Sequence, residues 1–323
     1  MEKTVIITDN YTADPSAHLF EDKIYLYPSH DLDIEMESND NGDQYCMTDY
    51  HVYSMEKPGA QVTDHGEVLH INSVDWASKQ MWAPDAAEKD GEYYLYFPAR
   101  DHKGIFRIGV AKSNRPYGPF KANKSYIKGS FSIDPAVFRD DDGSYYIYFG
   151  GLWGGQLQNW KTDKFDKDGT EPKPDDLALL PRIAKLDSSM EEFEENPREI
   201  EILDKKGNLL LAGNEDARYF EGPWMFKYRG KYYFSYSTGT THKIVYAISD
   251  SPYGPFIYQG TILEPVIGWT THHSIVEQNG DWYLFYHDCS LSGGVNHKRS
   301  VKYAKLDFTD DGKIIPISDF VQD

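Results

Sequence analysis

Short apolar runs rich in aromatic residues recur along the chain, and each is bounded by polar turn residues. Residues 91–97 (GEYYLYF) and 230–236 (GKYYFSY) are two examples. Aromatic residues favour β-strands, and the Asp, Asn and Gly residues ahead of such runs suit tight hairpin turns. A second apolar run follows, as at residues 107–111 and 243–248. The pattern predicts an antiparallel all-β fold, and it contains no long amphipathic helix.

This strand-turn-strand unit occurs five times, and each copy begins with a polar residue. Four copies open with a carboxylate and one with a His pair; the openers are Asp14, Asp85, Asp134, Glu221 and His272-His273. Repetition of one supersecondary unit is typical of solenoids and propellers. Five units in 323 residues leave about 65 residues each, enough for a four-stranded blade with loops. We therefore expect residues 1–323 to form a single five-bladed β-propeller.

Two of the units also end in nearly the same sequence. Residues 113–120 read SNRPYGPF and residues 249–256 read SDSPYGPF. A match of this length supports the repetition of one structural unit. The third unit is the longest, and its residues 152–180 are rich in Gly, Asp, Lys and Pro. Loops of this length are usually functional or disordered, so we expect this one to cover one face of the propeller.

Composition limits what such a fold binds. The formal net charge of −19 would repel a phosphate backbone, which argues against nucleic-acid binding. No apolar run approaches the roughly 18 residues needed to span a membrane. The two cysteines, Cys46 and Cys289, do not make a disulfide framework. Residues 1–10 lack the features of a signal peptide, so we expect a cytoplasmic protein, or a secreted or periplasmic one whose signal has been removed.

Asp14, Asp134 and Glu221 are the main candidates for catalysis. The innermost strands of propeller blades line the central channel, so residues that open those strands converge at one mouth. Neighbouring carboxylates raise the pKa of at least one of them, and a protonated acid with an ionised base is what glycoside hydrolysis requires. For any one residue, the alternative is an Asp that caps a turn or a buried acid that pairs with Arg. Equivalent positions in three units favour a shared site.

Other residues near the openers are candidates for substrate binding. Asp85 opens a channel-facing strand, and Trp82, three residues earlier, suits stacking on a sugar ring; core packing is the alternative for Trp82. Arg299 precedes the last strand, where a guanidinium could bind sugar hydroxyls and keep one acid ionised, with a surface cation as the alternative. In the long loop, Trp153 and Trp160 also suit sugar stacking; the alternative is an ordinary surface loop with one buried Trp.

The His pair raises the question of a metal. One imidazole of His272-His273 would face the channel and bind a metal or water, whereas a hydrogen-bonded core imidazole is the alternative. The chain has no His-x-x-x-His or Cys-x-x-Cys spacing of the zinc type. Calcium, which is held mainly by oxygen atoms and water, demands less of the sequence.

These motifs together resemble glycoside hydrolase family 43, whose members are five-bladed β-propellers. The matching segments are residues 13–16 (ADPS), 82–85 (WAPD), 133–136 (IDPA), 221–223 (EGP) and 272–274 (HHS). Each motif alone is weak, but all of them occur in this order. With Arg299 they cover nearly the whole chain.

The resemblance implies a role for each residue. Asp14 matches the general base that activates water, Glu221 the general acid, and Asp134 the third carboxylate, which orients the acid and raises its pKa. Arg299 matches the sugar-binding Arg. Family members invert the anomeric centre, which fits a base that needs room for a water molecule.

The resemblance also implies ligands and domain organisation. It places a calcium ion in the central channel near a His such as His273, which would also lie beside the substrate, and it implies no organic cofactor. The usual substrates are xylose- and arabinose-containing plant polysaccharides and their oligosaccharides. Some relatives carry a C-terminal β-sandwich, which we do not expect in this chain.

Several functions remain to be distinguished at this point. The leading hypothesis is an exo-acting β-xylosidase or α-L-arabinofuranosidase, and an endo-acting arabinanase or xylanase of the same fold is an alternative. A carbohydrate-binding propeller without catalysis would not need an acid and a base. A protein-interaction propeller would show a Trp-Asp signature in each blade, which these repeats lack. The shape of the loops determines whether the enzyme prefers xylose or arabinose and whether it cleaves in exo or endo mode. The sequence leaves both of these questions open, and it does not indicate the oligomeric state.

Overall fold

In the computed structural model, which describes residues 4–318, the chain forms five sheets around a central axis. Within this range the helical segments are three short 3-10 turns, Ile71–Ser73, Trp153–Gly155 and Leu157–Trp160. The predicted all-β, five-bladed propeller is therefore confirmed. Across the described residues, no helix has the length and apolar character that a membrane crossing requires.

The first three blades follow one another along the chain. Blade 1 contains β1 (Tyr11–Phe20), β2 (Lys23–Asp31), β3 (Asp49–Met55) and β4 (Thr63–His70). Blade 2 contains β5 (Ala77–Lys79), β6 (Asp85–Lys89), β7 (Glu92–Asp101), β8 (Phe106–Ser113) and β9 (Lys121–Ala122). Blade 3 contains β10 (Ala136–Arg139), β11 (Tyr145–Phe149), β12 (Arg182–Lys185) and β13 (Arg198–Glu199). Neighbouring strands pair in antiparallel fashion, and β1, β6 and β10 are innermost.

The last two blades complete the ring. Blade 4 contains β14 (Ile202–Leu203), β15 (Glu221–Tyr228), β16 (Lys231–Ser237), β17 (Ile244–Ser249) and β18 (Phe256–Leu263), with β14 parallel to β18. Blade 5 contains β19 (His273–Gln278), β20 (Asp281–Asp288) and β21 (Ser300–Leu306). The described residues ahead of β1 join this blade, since the Ile6 amide donates a hydrogen bond to the Val301 carbonyl. The first and last segments of the described chain thus close the ring together.

Tyrosine hydroxyls explain why the turn sequence is repeated. Tyr27 of blade 1 donates a hydrogen bond to the carbonyl of Pro116 in blade 2 at 2.6 Å. Tyr148 of blade 3 donates to the carbonyl of Pro252 in blade 4 at 2.9 Å. Both rings are fully buried, so each hydroxyl needs a partner there. The two similar turns are docking points for the preceding blade.

Candidate active site

Asp14, Asp134 and Glu221 line one cavity, where the inner strands of blades 1, 3 and 4 begin. Asp14 and Asp134 are only 6% and 4% exposed. The three side chains lie far apart in sequence, yet the propeller brings them to the same end of the axis. The spatial convergence expected from the repeat is therefore present in the structure.

Irregular backbone at the start of the inner strands positions these side chains. Asp14 and Asp134 have φ angles of 48° and 59°, in the left-handed region where Asp is one of the favoured non-glycine residues. The pairing of β15 with β16 shifts register just after Glu221, at Gly222, whose φ is 63°. A Cβ atom at Gly222 would lie 3.3 Å from the His272 ring. The Glu-Gly sequence thus combines the candidate carboxylate with a turn that no larger residue fits easily.

Asp14 is surrounded by hydrogen-bond donors. Arg299 Nη1 donates to its Oδ1 at 2.9 Å, and Ser29 Oγ donates to its Oδ2 at 2.6 Å. The ring nitrogens Nδ1 of His287 and His272 lie 3.5 and 3.6 Å from the Oδ1 atom. Burial alone would raise the pKa of Asp14, but the charge of Arg299 and the hydrogen bond from Ser29 lower it to about 2. Asp14 is therefore an ionised carboxylate at neutral pH.

Glu221 and Asp134 have the opposite electrostatic setting. Burial and the negative charge of Asp14 raise the pKa of Glu221 to about 8, although Arg299 acts in the other direction. Burial and the charges of Glu221 and Asp14 raise the pKa of Asp134, while the Gly222 amide, which donates to its Oδ2 at 2.9 Å, opposes that shift. The Asp134–Glu221 pair therefore retains a proton at neutral pH, when Asp14 is ionised.

Arg299 is held by a second carboxylate that the sequence analysis missed. Its Nε and Nη2 atoms both donate to Asp31 at 2.8 Å, and its backbone amide donates there at 2.9 Å. Arg299 is 3% exposed, so it is not a surface cation. A bidentate Arg–carboxylate pair fixes the guanidinium plane, which leaves Nη1 for Asp14. The only sequence signal for Asp31 was its place at the end of the strand that pairs with β1.

The imidazole that lines the cavity is His272, not His273. Its Nδ1 lies 3.6 Å from Asp14 and 3.9 Å from Asp134. His287, also missed in the sequence, accepts a hydrogen bond from the Asp14 amide at 3.0 Å. Burial lowers the pKa of both imidazoles, that of His287 to about 3. Both are therefore neutral and position Asp14 by hydrogen bonding and contact.

Asp85 and His273 do not line this cavity, contrary to the expectation from sequence. Asp85 is 1% exposed, and its carboxylate binds His18 Nε2 at 2.6 Å and the Val137 amide at 2.5 Å. Asp85 pairs with Tyr96 as Ser16 pairs with Tyr27. Since these tyrosines are equivalent in the repeat, Asp85 lies two positions deeper in its strand than Asp14. It links blades 1, 2 and 3 around the axis.

His273 is also below the cavity, completely buried. Its Nε2 is 2.6 Å from Ser235 Oγ, whereas its Nδ1 has no hydrogen-bond partner among the described residues. Burial, together with the neighbouring His272, lowers its pKa well below the usual range. A neutral, buried nitrogen without a protein partner is suited to a water molecule or to a hydrated cation, so this residue fits the expected calcium ion.

Several aromatic side chains line the cavity. Trp82 lines it, as expected, and its Nε1 donates to the Tyr45 carbonyl at 2.7 Å. Trp153 and Trp269 also line the cavity, and their rings stack with centroids 5.1 Å apart. Trp160, the other indole of the long loop, instead packs on Phe131 in the core at 4.6 Å. Only one of the two loop tryptophans therefore remains a candidate for sugar stacking.

The arrangement provides an ionised carboxylate and a protonated one in the same cavity. Such a pair transfers a proton to a leaving oxygen and accepts one from an attacking water. Comparison with known proteins agrees with this chemistry. The model of the family described as "Glycosyl hydrolases family 43" matches residues 7–314.

The chain belongs to glycoside hydrolase family 43. It is a glycosidase, and two curated relatives support this at high identity. One is the "Xylosidase/arabinosidase 43A" of Humicola insolens, 60% identical over 96% of this chain and 98% of its own. The other is a "Xylosidase/arabinosidase" of Bacteroides ovatus, 53% identical over 98% of both chains.

A solved structure matches this family 43 chain over its whole length. It is a β-xylosidase/α-arabinofuranosidase from a compost microbial metagenome, determined with xylotriose in a calcium-free form. The two chains are 56% identical, the match covers 100% of this chain and 99% of the other, and the TM-score is 0.98. The blade arrangement described above is therefore that of an experimentally known family 43 enzyme.

Proposed function

We propose that this family 43 enzyme is an inverting, exo-acting glycosidase that releases terminal xylose or arabinose from xylan-derived oligosaccharides. The observation that carries the proposal is the opposite protonation of Asp14 and Glu221 in one cavity. The relatives named above support the substrate class, since their names refer to xylosides and arabinosides.

In the proposed reaction, Asp14 removes a proton from a water molecule as that water attacks the anomeric carbon. Glu221 donates its proton to the glycosidic oxygen, so that the bond to the leaving sugar breaks without forming an alkoxide. Asp14 ends protonated and Glu221 ionised, and exchange with solvent restores both. Arg299 keeps Asp14 ionised between turnovers, and Asp134 helps to hold Glu221 in its acidic form.

Exo action is supported by contacts between two loops at the edge of the cavity. Arg100 Nη2 donates to the side chain of Asn41 at 2.8 Å and to the Gly154 carbonyl at 3.3 Å. A Cβ atom at Gly154 would lie 3.0 Å from the Asn41 carbonyl. These loops of blades 1 and 3 therefore meet beside Trp82. A long polysaccharide could not pass through the cavity on this side.

The stereochemistry of the first product tests the proposed reaction. We expect hydrolysis of an aryl β-xyloside to give α-xylose first, because Asp14 delivers water to the face opposite the leaving group. The anomeric proton in an NMR time course, recorded before mutarotation, reports the configuration. First-formed β-xylose would contradict the proposed role of Asp14. Xylobiose, an aryl α-arabinofuranoside, arabinoxylan and linear arabinan, compared under the same conditions, distinguish the sugar and exo from endo cleavage.

The pH dependence of kcat/KM follows from the two pKa values. Glu221 must be protonated to act as acid, so activity on xylobiose is lost as the pH rises through about 8. Asp14, with a pKa of about 2, stays ionised across the accessible range and adds no acidic limb. We expect a plateau near neutral pH and a tenfold fall per unit above the midpoint. Constant kcat/KM from about pH 7 to 9 would rule out Glu221 as the titrating acid.

We also propose that His273 holds a hydrated calcium ion through its Nδ1 atom. A bound calcium ion would supply positive charge in the central channel. After treatment with a chelator, we expect added Ca²⁺ to raise both the melting temperature and kcat of the wild type, because the ion binds only the folded chain. His273→Gln should remove both responses. A melting temperature that does not change with Ca²⁺ would refute this site.

A further inference from the structure

A second group of potential metal ligands lies in blade 1. It consists of His30 at the end of β2 and of Asp49 and His51 at the start of β3, and we call it the blade 1 triad. None of the three is among the described residues that line the catalytic cavity. Their side chains are 19%, 8% and 18% exposed. The triad is thus shielded from bulk water but has a path by which an ion can enter.

The geometry of the triad suits a small transition-metal ion. Asp49 Oδ2 lies 2.8 Å from His30 Nδ1 and 3.5 Å from His51 Nε2. One ligand atom from each residue falls within 4.8 Å of the other two. Tetrahedral Zn²⁺ with bonds of about 2.0–2.1 Å holds its ligand atoms about 3.3 Å apart. Small rotations of the side chains would therefore bring all three atoms into coordination.

Neighbouring groups orient the ligands as they do in known metal centres. His51 directs its other ring nitrogen, Nδ1, toward Asp64 Oδ1 at 3.4 Å. A carboxylate at that position favours the tautomer with a proton on Nδ1, which leaves the Nε2 lone pair facing Asp49. Thr48 donates to Asp49 Oδ1 at 3.3 Å, so Oδ2 remains directed at the two imidazoles.

We propose that the blade 1 triad is a binding site for Zn²⁺ or a similar transition-metal ion, distinct from the catalytic cavity. A set of two imidazole nitrogens and one carboxylate oxygen suits Zn²⁺ better than it suits Ca²⁺. A water molecule would complete the coordination. The nearby Asp64 carboxylate adds a second negative charge. The ion would replace the proton of the His30–Asp49 hydrogen bond.

A metal at this position would stabilise the region where the ring closes. The His51 ring stacks on Tyr53 at 6.2 Å, and the Tyr53 hydroxyl accepts a hydrogen bond from Asn10 at 2.9 Å. Asn10 belongs to the segment that joins blade 1 to blade 5. Fixing His51 against His30 therefore restrains β2, β3 and this segment together.

Calorimetric titration of the chelator-treated, full-length protein with ZnCl₂ tests the proposal. We expect one equivalent to bind the triad, and His51→Gln to weaken that binding at least tenfold. Asp64→Asn should weaken it by about tenfold, since loss of an orienting carboxylate costs 10–100-fold in affinity. Saturating Zn²⁺ should raise the melting temperature of the wild type by roughly 5 °C, and that of His51→Gln by much less.

His65→Gln is the matched control, since His65 lies in the same blade and bonds Ser54 Oγ at 2.8 Å outside the triad. It should bind Zn²⁺ as the wild type does. Chelator-treated His51→Gln should also hydrolyse an aryl xyloside at the rate of the wild type treated in the same way, which shows that it folds. Visible absorption of Co²⁺ in place of Zn²⁺ reports coordination by the triad directly. No Zn²⁺ binding, or binding that His51→Gln leaves unchanged, would overturn the proposal.

Discussion

Glu221→Gln is expected to lower kcat/KM for xylobiose by about 10³–10⁴-fold, but that for an aryl xyloside with an acidic phenol by about tenfold or less. Loss of general acid catalysis lowers the rate by up to about 10⁴-fold, which accounts for the loss on xylobiose. An acidic phenol is a good leaving group and needs little protonation, so the loss on the aryl xyloside is small. Gln keeps the shape of Glu221 but has no proton to donate at pH 7. Initial rates on both substrates measure the difference.

The control for this variant is Glu215→Gln, because Glu215 is an exposed carboxylate in the segment that precedes β15 of blade 4. It should leave both rates unchanged. Equal losses on xylobiose and the aryl xyloside in Glu221→Gln would mean that Glu221 does not protonate the leaving group. The alkaline limb of the pH profile should also disappear in this variant, because the titrating group has been removed.

Asp14→Asn is expected to lower kcat/KM by about 10³–10⁴-fold on both substrates. Water activation is needed whatever the leaving group, so the two losses should be similar. The fold should persist because Arg299 keeps its bidentate pair with Asp31, which limits the cost of losing one charge. Circular dichroism and the melting temperature check this point.

Azide distinguishes the general base from the general acid, because it is a nucleophile that does not have to be deprotonated. It should partly restore turnover of the aryl xyloside in Asp14→Asn and form a xylosyl azide of inverted configuration. In Glu221→Gln, azide should give no xylosyl azide, since Asp14 is still present in that variant to activate the attacking water. Azide rescue in both variants, or in neither, would contradict the assignment of base and acid.

The sequence predicted the strands and blade count because each rests on local interactions. Aromatic alternation and Gly-containing turns are encoded within a few residues, and their fivefold repetition requires equivalent packing in each unit. The openers Asp14, Asp134 and Glu221 could be found for the same reason. Asp31 and His287 could not, because nothing in their local sequence shows that they approach Arg299 and Asp14 across the ring.

Register explains the openers that were misplaced. His272 and His273 are adjacent, and successive side chains in extended backbone point to opposite sides; His272 therefore lines the cavity, whereas His273 lies beneath it. Asp85 is level with Ser16 rather than with Asp14, as its pairing with Tyr96 shows. Asp14 lies two positions earlier, where the pairing of β1 with β2 shifts register, and its carboxylate lines the cavity, whereas that of Asp85 lies in the interior.

The sequence by itself determined a five-bladed propeller whose repeated units begin with acidic residues. Only the tertiary structure decided which of those acids share one cavity and which of them are protonated at neutral pH. The pKa of a carboxylate depends on burial and on charges within a few ångströms, and here these come from different blades. Arg299 contacts Asp14 and lowers its pKa, whereas burial and the charge of Asp14 raise that of Glu221.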